Sequence, residues 1–242
     1  MSEQIEILIT LPFADSQVQR LEELSPRFKV KVVSANKVEE ISDDIWESAE
    51  VIYTNRVLPD PAKTPKLRWI QFHWAGVDQV MDAPILRKEN VVATTLSGAA
   101  ASQMAEYIVM MILALGHRMP DLMASQRKAE WPRDRWERFL PLEVRGSTVG
   151  IVGYGSIGRQ VAHLLQPFGA FVVATKRHAM HPEDSGYVPA GMGDPQGDLV
   201  FRLYPAEALR SMLKECDYVV VTVPKTENTI NLIGADELAA MK

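Results

Sequence analysis

Apolar residues first recur in short β-branched runs at residues 5–10, 28–33 and 51–53, and between these runs their spacing changes to a helical one over residues 15–24 and 41–48. That alternation predicts strands joined by amphipathic helices. Apolar runs at 67–72 and 91–94 add two more strands, and a helix is expected over 77–81. Strands and crossover helices in this order predict a small parallel α/β sheet.

Residues 102–116, SQMAEYIVMMILALG, carry a stronger helical signal, with Ser102 expected as the N-cap, Glu106 in the first turns and Gly116 suited to the C-terminal cap. The middle of this helix is apolar nearly all round. It is therefore expected to be buried, between domains or in a subunit interface, with its methionines as packing material. A polar stretch over 127–138 follows, and Trp131 and Trp136 are expected to anchor it as an arm over a neighbouring surface.

A third pattern carries chemistry. An apolar strand at 149–152 runs into Gly153, Gly155 and Gly158 in GxGxxG spacing, followed by a helical pattern and a second strand at 171–175. A βαβ unit of this length with glycines at these places is the signature of a dinucleotide-binding turn. One glycine serves the tight turn, one lets backbone N–H groups approach a pyrophosphate, and one lets helix and strand pack closely. Beyond it, residues 178–198 are rich in Gly, Pro and Asp and are expected to form a long loop. A strand at 199–203, a helix at 206–215 and a strand at 218–223 complete the pattern, with a final helix starting at Ala235.

Composition narrows the function classes. The 242 residues, 47% hydrophobic, suffice for one large or two ordinary domains. A net charge of −5 without long runs of either sign argues against a nucleic-acid footprint and against a polybasic membrane patch. The longest apolar candidate, 107–115, is about half of the ~18 to 20 residues a membrane span needs. The acidic, strand-like N-terminus MSEQIEILIT is unlike a secretory signal, so a cytoplasmic location is expected. Cys216 is the only cysteine, which excludes an internal disulfide and a multi-cysteine metal site. It is expected to be a packed, inert thiol.

Four blocks, LRWIQFHWAGVDQVMD from Leu67, TTLSGAAASQMAEYIVMMILAL from Thr94, LEVRGSTVGIVGYGSIG from Leu142 and CDYVVVTVPKTENTINLIGADELAAMK from Cys216, give the chain a further character. Over roughly residues 50–242 it resembles the D-isomer-specific 2-hydroxyacid dehydrogenases, the family of phosphoglycerate, glycerate and D-lactate dehydrogenases. The resemblance implies a flavodoxin-like substrate domain over 1–98 and, over 99–242, a doubly wound Rossmann domain that binds NAD(P). It implies that backbone N–H groups around Ala75, Gly76 and Val77 receive the carboxylate of a small 2-oxo or 2-hydroxy acid. The cofactor is expected on Gly153, Tyr154, Gly155, Ser156, Ile157 and Gly158, with Val223 and Pro224 lining it and Thr229 as a further candidate. A homodimer is implied too; the charge pattern and the short apolar runs lead to the expectation of no nucleic-acid or membrane partner.

Two departures from the family pattern matter. Where NAD-preferring members carry an aspartate against the adenine-ribose hydroxyls, this chain has Lys176, with Arg177 beside it. Two cations attract a 2′-phosphate, so NADP(H) is expected to be favoured over NAD(H). The family's catalytic arginine, carboxylate and histidine follow the block that here ends at Lys242, so no catalytic residue is assigned. None of His73, His117, His163, His178 and His181 occupies that place, and His73, nearest the substrate loop, is expected to be a surface or packing residue. From Gly146 onward only about four strands are visible where a doubly wound sheet ordinarily has five or six, so a C-terminally truncated Rossmann domain is expected, ending on an exposed apolar edge. Taken alone, such a chain is expected to be weakly stable and without turnover. Two readings stay open: an NAD(P)-dependent oxidoreductase of 2-oxo acids, or a non-catalytic NAD(P)-binding regulatory protein or inactive fragment. A Rossmann reductase of another substrate, such as an imine, fits less well, because those folds normally begin with the nucleotide motif.

Overall fold

The computed structural model describes residues 4–242, which fall into two compact units, one up to Ser97 and one from Gly98. In the first, β1 (Ile5–Ile9), α1 (Asp15–Glu22), β2 (Phe28–Val32), α2 (Asp43–Ser48), β3 (Val51–Thr54), β4 (Trp69–Phe72) and β5 (Val92–Thr94) form a parallel sheet of order β2-β1-β3-β4-β5. This is the flavodoxin-like order, with the central strands covered on both faces. Burial follows position: β3 and β4 contribute Ile52, Ile70 and Phe72 to the core, whereas β5 lies exposed at an edge. Trp46 of α2 is fully buried and donates its indole N–H to Val38 O at 3.3 Å. Large side chains buried this completely stabilise the unit by roughly 1.5–3 kcal/mol each.

One expected element is absent. Residues 77–81 form successive turns, closed by Val80 N–H to Val77 O and Ala83 N–H to Val80 O, instead of a helix. These N–H groups reach back three residues and not four, so no α-helical turn is closed.

The second unit contains α3 (Ala101–Gly116), α4 (Met119–Arg127), α5 (Arg135–Arg138), β6 (Thr148–Val152), α6 (Ser156–Leu165), β7 (Phe171–Lys176), β8 (Arg202–Pro205), α7 (Leu209–Leu213), β9 (Tyr218–Val221) and α8 (Ala235–Ala240). Its four strands are all parallel in the order β8-β7-β6-β9, so the first strand lies inside and the fourth returns to its other side. That is the 3-2-1-4 start of a doubly wound Rossmann sheet. β9 lies at the sheet's edge, with Val221 half-exposed.

The expected N-cap of the long helix needs correction here. The helix α3 buries only a stripe, Ala101, Ala105, Val109, Ile112 and Gly116, against the core it shares with α6, and leaves Met104, Tyr107, Met110 and Leu115 exposed within the chain. Its N-cap is Ala100, and Ser102 lies inside the first turn. Trp131 and Trp136 are exposed within the chain, and the Arg135 guanidinium lies over each ring. No single helix among the described residues is long and apolar enough to cross a membrane.

Candidate dinucleotide site

The central strand β6, TVGIV, is buried from Val149 to Val152, and its register sets Val152 beside Thr175 of β7 and Val221 of β9. At its carboxyl end the chain turns at Gly153, whose φ of +98° lies in the region that favours glycine. Both neighbouring strands hold this turn: Gly153 N–H donates to Thr175 Oγ1 at 3.2 Å, and Thr222 Oγ1 donates to Gly153 O at 2.8 Å. Gly155 is exposed, and a Cβ there would meet nothing within 4 Å, so the backbone is open to an approaching ligand. Gly158 is the opposite case, since a Cβ would come within 2.8 Å of Gly153 O and of Ile151 Cγ2.

A cleft of about 500 Å³ opens at the strand ends, lined by Gly153, Tyr154, Gly155, Lys176, Arg177, Val223, Pro224 and Thr229. Ser156 and Ile157 do not line it. Ser156 faces a small crevice with Arg159, Asp184 and Tyr187, and Ile157 packs toward α3 and β9. Thr229 Oγ1 is used within the chain, donating to Pro224 O at 2.6 Å and accepting from Thr226 N–H at 2.8 Å, so it shapes the turn that forms one wall.

The two cations of this cleft are not equivalent. The Lys176 ammonium donates to His181 O and, at 2.7 Å, to Glu183 O, and so fastens the start of the following loop. Arg177 is exposed and has no carboxylate partner among the described residues.

The same loop is also clasped by Arg159 and Asp194, which lie 35 positions apart in the sequence. Arg159 of α6 is 2% exposed; its guanidinium donates to the carbonyls of Pro182 and Asp194 and lies 3.4 Å from the Asp184 carboxylate. The buried Asp194 carboxylate accepts from the N–H groups of Gly197, Asp198 and Leu199 and, at 2.5 Å, from the Tyr154 hydroxyl. Burial, with the Asp194 hydrogen bond second, pushes the Tyr154 phenol far above its usual range and keeps it a donor. The sequence signal is GDPQGD at 193–198, a turn-forming run with an aspartate placed to bond backbone N–H groups ahead of it. Capture of Leu199 N–H by Asp194 also accounts for β8 starting at Arg202 and not at 199.

Cys216 is buried, its Sγ 3.1 Å from Met212 O, and burial, helped by the neighbouring Glu215 charge, pushes the thiol up to about 11. At pH 8 roughly one molecule in a thousand then carries the reactive thiolate. Alkylation by iodoacetamide at that pH is expected only at the rate of global unfolding; rapid stoichiometric labelling of the native protein would contradict this placement.

In the first unit, Ala75 and Gly76 are exposed and Val77 half-buried in the loop after β4. Gly76 and Val77 line a separate cavity of about 360 Å³ together with Asn55, Arg56 and Trp74. Phe72 is core, while Trp74 is 56% exposed. His73 is occupied, its Nδ1 2.7 Å from the Tyr53 hydroxyl and its ring edge-on to both Tyr53 and Trp74. Among the described residues no group of three or more His, Cys, Asp or Glu could hold a metal ion.

A parallel 3-2-1-4 sheet with a glycine turn between its central strand and a ten-residue helix, facing an open cleft, defines a dinucleotide-binding α/β protein. Comparison with known proteins narrows the class: the family model "D-isomer specific 2-hydroxyacid dehydrogenase, NAD binding domain" matches residues 109–242. The chain belongs to the D-isomer specific 2-hydroxyacid dehydrogenase family. It is 26% identical over 242 residues to a D-3-phosphoglycerate dehydrogenase of Methanocaldococcus jannaschii, covering 98% of this chain and 42% of that protein. It is 30% identical over 182 residues to a glyoxylate reductase of Thermococcus gammatolerans, covering 74% of this chain and 50% of that one. The chain therefore spans about half the length, or less, of these relatives. A solved structure of a D-isomer specific 2-hydroxyacid dehydrogenase family protein from Aeromonas salmonicida shares the fold, with a TM-score of 0.72 at 23% identity over 99% of this chain and 70% of that one.

Proposed function

We propose that this chain binds NADP(H) at the cleft beside Gly155 and serves an oxidoreductase that interconverts a 2-oxo acid and a 2-hydroxy acid, chiefly in the direction of reduction. The observation that carries the reading is the open glycine cradle at Gly155, which continues along one cleft to Arg177, a side chain without a carboxylate partner among the described residues. The residues fit the cofactor: the exposed backbone at Gly155 and the N-terminus of α6 suit a pyrophosphate, and Arg177 suits a 2′-phosphate as a charge-assisted partner. A nicotinamide cofactor bound there would supply the hydride. Backbone N–H groups of the 75–77 loop would hold the substrate carboxylate without side chains to order.

In this reading Lys176 acts mainly by fastening the loop, and Arg177 carries the preference. Arg177→Gln is expected to raise the Kd for NADPH about tenfold and to leave that for NADH within twofold, read by nucleotide fluorescence titration. An unchanged NADPH Kd would remove Arg177 from the site. The reading also includes a cytoplasmic homodimer, supported by the exposed apolar side of α3. Light scattering at micromolar concentration would give twice the chain mass; a monomer contradicts that part.

A further inference from the structure

Between β7 and β8 the chain runs from Arg177 to Phe201 without strand or helix, yet it is pinched closed: Asp184 N–H donates to Pro195 O at 2.9 Å. A loop whose two limbs meet in this way is a compact element of the Ω kind. Its base is gripped by α6 through Arg159, Gln160 and His163, whose spacing sets them on one side of that helix. Beside the Arg159 bonds to Pro182 O and Asp194 O, Gln160 Oε1 accepts Gly193 N–H at 2.6 Å, and His163 Nδ1 lies 3.1 Å from Gly193 O.

Two residues belong both to the anchorage of this loop and to the cleft. Tyr154, between the first two glycines of the turn, lines the cleft and donates its hydroxyl to Asp194. Lys176 lines the cleft and donates to the carbonyls of His181 and Glu183. Midway along the loop, the Tyr187 carbonyl lies against Gly98, another residue of the second unit. A Cβ at Gly98 would collide with that carbonyl oxygen, and the φ of +90° there lies in the region open to glycine. Neither Gly98 nor Tyr187 lines the cleft, and Gly98 O accepts Ala101 N–H at 3.1 Å at the start of α3.

We propose that residues 182–199 form a strap whose order is coupled to occupancy of the cleft through Tyr154 and Lys176, and that Tyr187 passes this coupling to the backbone at Gly98. The coupling rests on the reading of the cleft as a dinucleotide site. A ligand held against Tyr154 and Lys176 restrains the two side chains on which the strap is moored, so part of the entropy of ordering the strap is already lost when the cleft is filled. The relation is reciprocal: a strap displaced at Gly98 weakens the nucleotide, as the nucleotide steadies the strap. A loop held by α6 alone would be indifferent to the cleft.

Hydrogen exchange of the 242-residue chain, read by mass spectrometry without NADPH and at saturating NADPH, tests it, repeated on Tyr154→Phe and Gly98→Ala. In the parent, NADPH is expected to slow exchange about tenfold in residues 182–199 and 97–101 together. Tyr154→Phe removes one hydroxyl and keeps the ring. Saturating NADPH is expected to protect residues 153–158 of this variant as in the parent, and to lose most of its effect on 182–199 and 97–101. Gly98→Ala is expected to raise the Kd for NADPH about fivefold, although Gly98 does not line the cleft; if its melt shows a folding defect, the Tyr154→Phe contrast decides alone. Unchanged exchange of 182–199 in the NADPH-bound parent, or an equal response of both segments in parent and Tyr154→Phe, overturns the proposal while the cleft reading stands. Absence of NADPH binding by the parent overturns the cleft reading, and the proposal with it.

Discussion

Replacing Gly155 with alanine is expected to weaken NADPH binding roughly 10- to 100-fold while the protein stays folded. Apart from its chain neighbours, no protein atom lies within 4 Å of the added methyl, so its obstruction would fall on a ligand whose pyrophosphate approaches the backbone there. Gly155 is also the N-cap of α6, and alanine is a poorer cap, so a stability loss of about 0.5–1 kcal/mol accompanies the change. Alanine at Gly158 separates the two effects. Its methyl would lie 2.8 Å from the Gly153 carbonyl oxygen, a backbone atom that cannot swing away, and overpacking of this kind costs about 1–3 kcal/mol. Thermal melts and nucleotide titrations of both variants check the contrast. If Gly155→Ala binds NADPH as the parent does, the pyrophosphate is not at this turn.

Arg159→Met is expected to give the largest loss of stability among these substitutions, about 3–5 kcal/mol by urea denaturation. The side chain is 2% exposed, and its removal leaves the Pro182 and Asp194 carbonyls without their donor and Asp184 without its cation. The damage is expected to concentrate in residues 178–199, because this loop has little regular structure of its own and is held by Arg159, Tyr154 and Lys176. Limited proteolysis should cut the variant within that segment well before the parent. A variant as stable and as protease-resistant as the parent would show that the clasp contributes little. Loosening the loop also frees Lys176, so a shift in the NADPH to NADH ratio is expected with it.

The legible parts of this molecule are those whose cause is local. The β6–α6–β7 unit could be read directly because apolar strands and glycines at fixed spacing each require their conformation whatever surrounds them. The five strands of the first unit were legible for the same reason, as short β-branched runs between turn residues. Residues 77–81 are not legible as turns because a short apolar spacing satisfies a helix and a series of turns equally, and the tertiary surroundings decide between them.

The nucleotide cleft shows the other limit. That Lys176 and Arg177 are basic was plain, yet their division of labour depends on where the loop after β7 returns, and Lys176 meets carbonyls five and seven residues on. The Arg159–Asp194 clasp joins residues 35 positions apart, and the exposed half of α3 depends on what the rest of the chain leaves uncovered. Such facts belong to tertiary packing and leave little trace in periodicity.

On the proposed reading, the cleft at Gly155 holds a dinucleotide and Arg177 selects the phosphorylated one. Isothermal titration of the chain with NADPH and with NADH at one ionic strength tests it most directly. One site per chain is expected, with a Kd for NADPH about tenfold below that for NADH. Absence of binding, equal Kd values for the two nucleotides, or a lower Kd for NADH would contradict it.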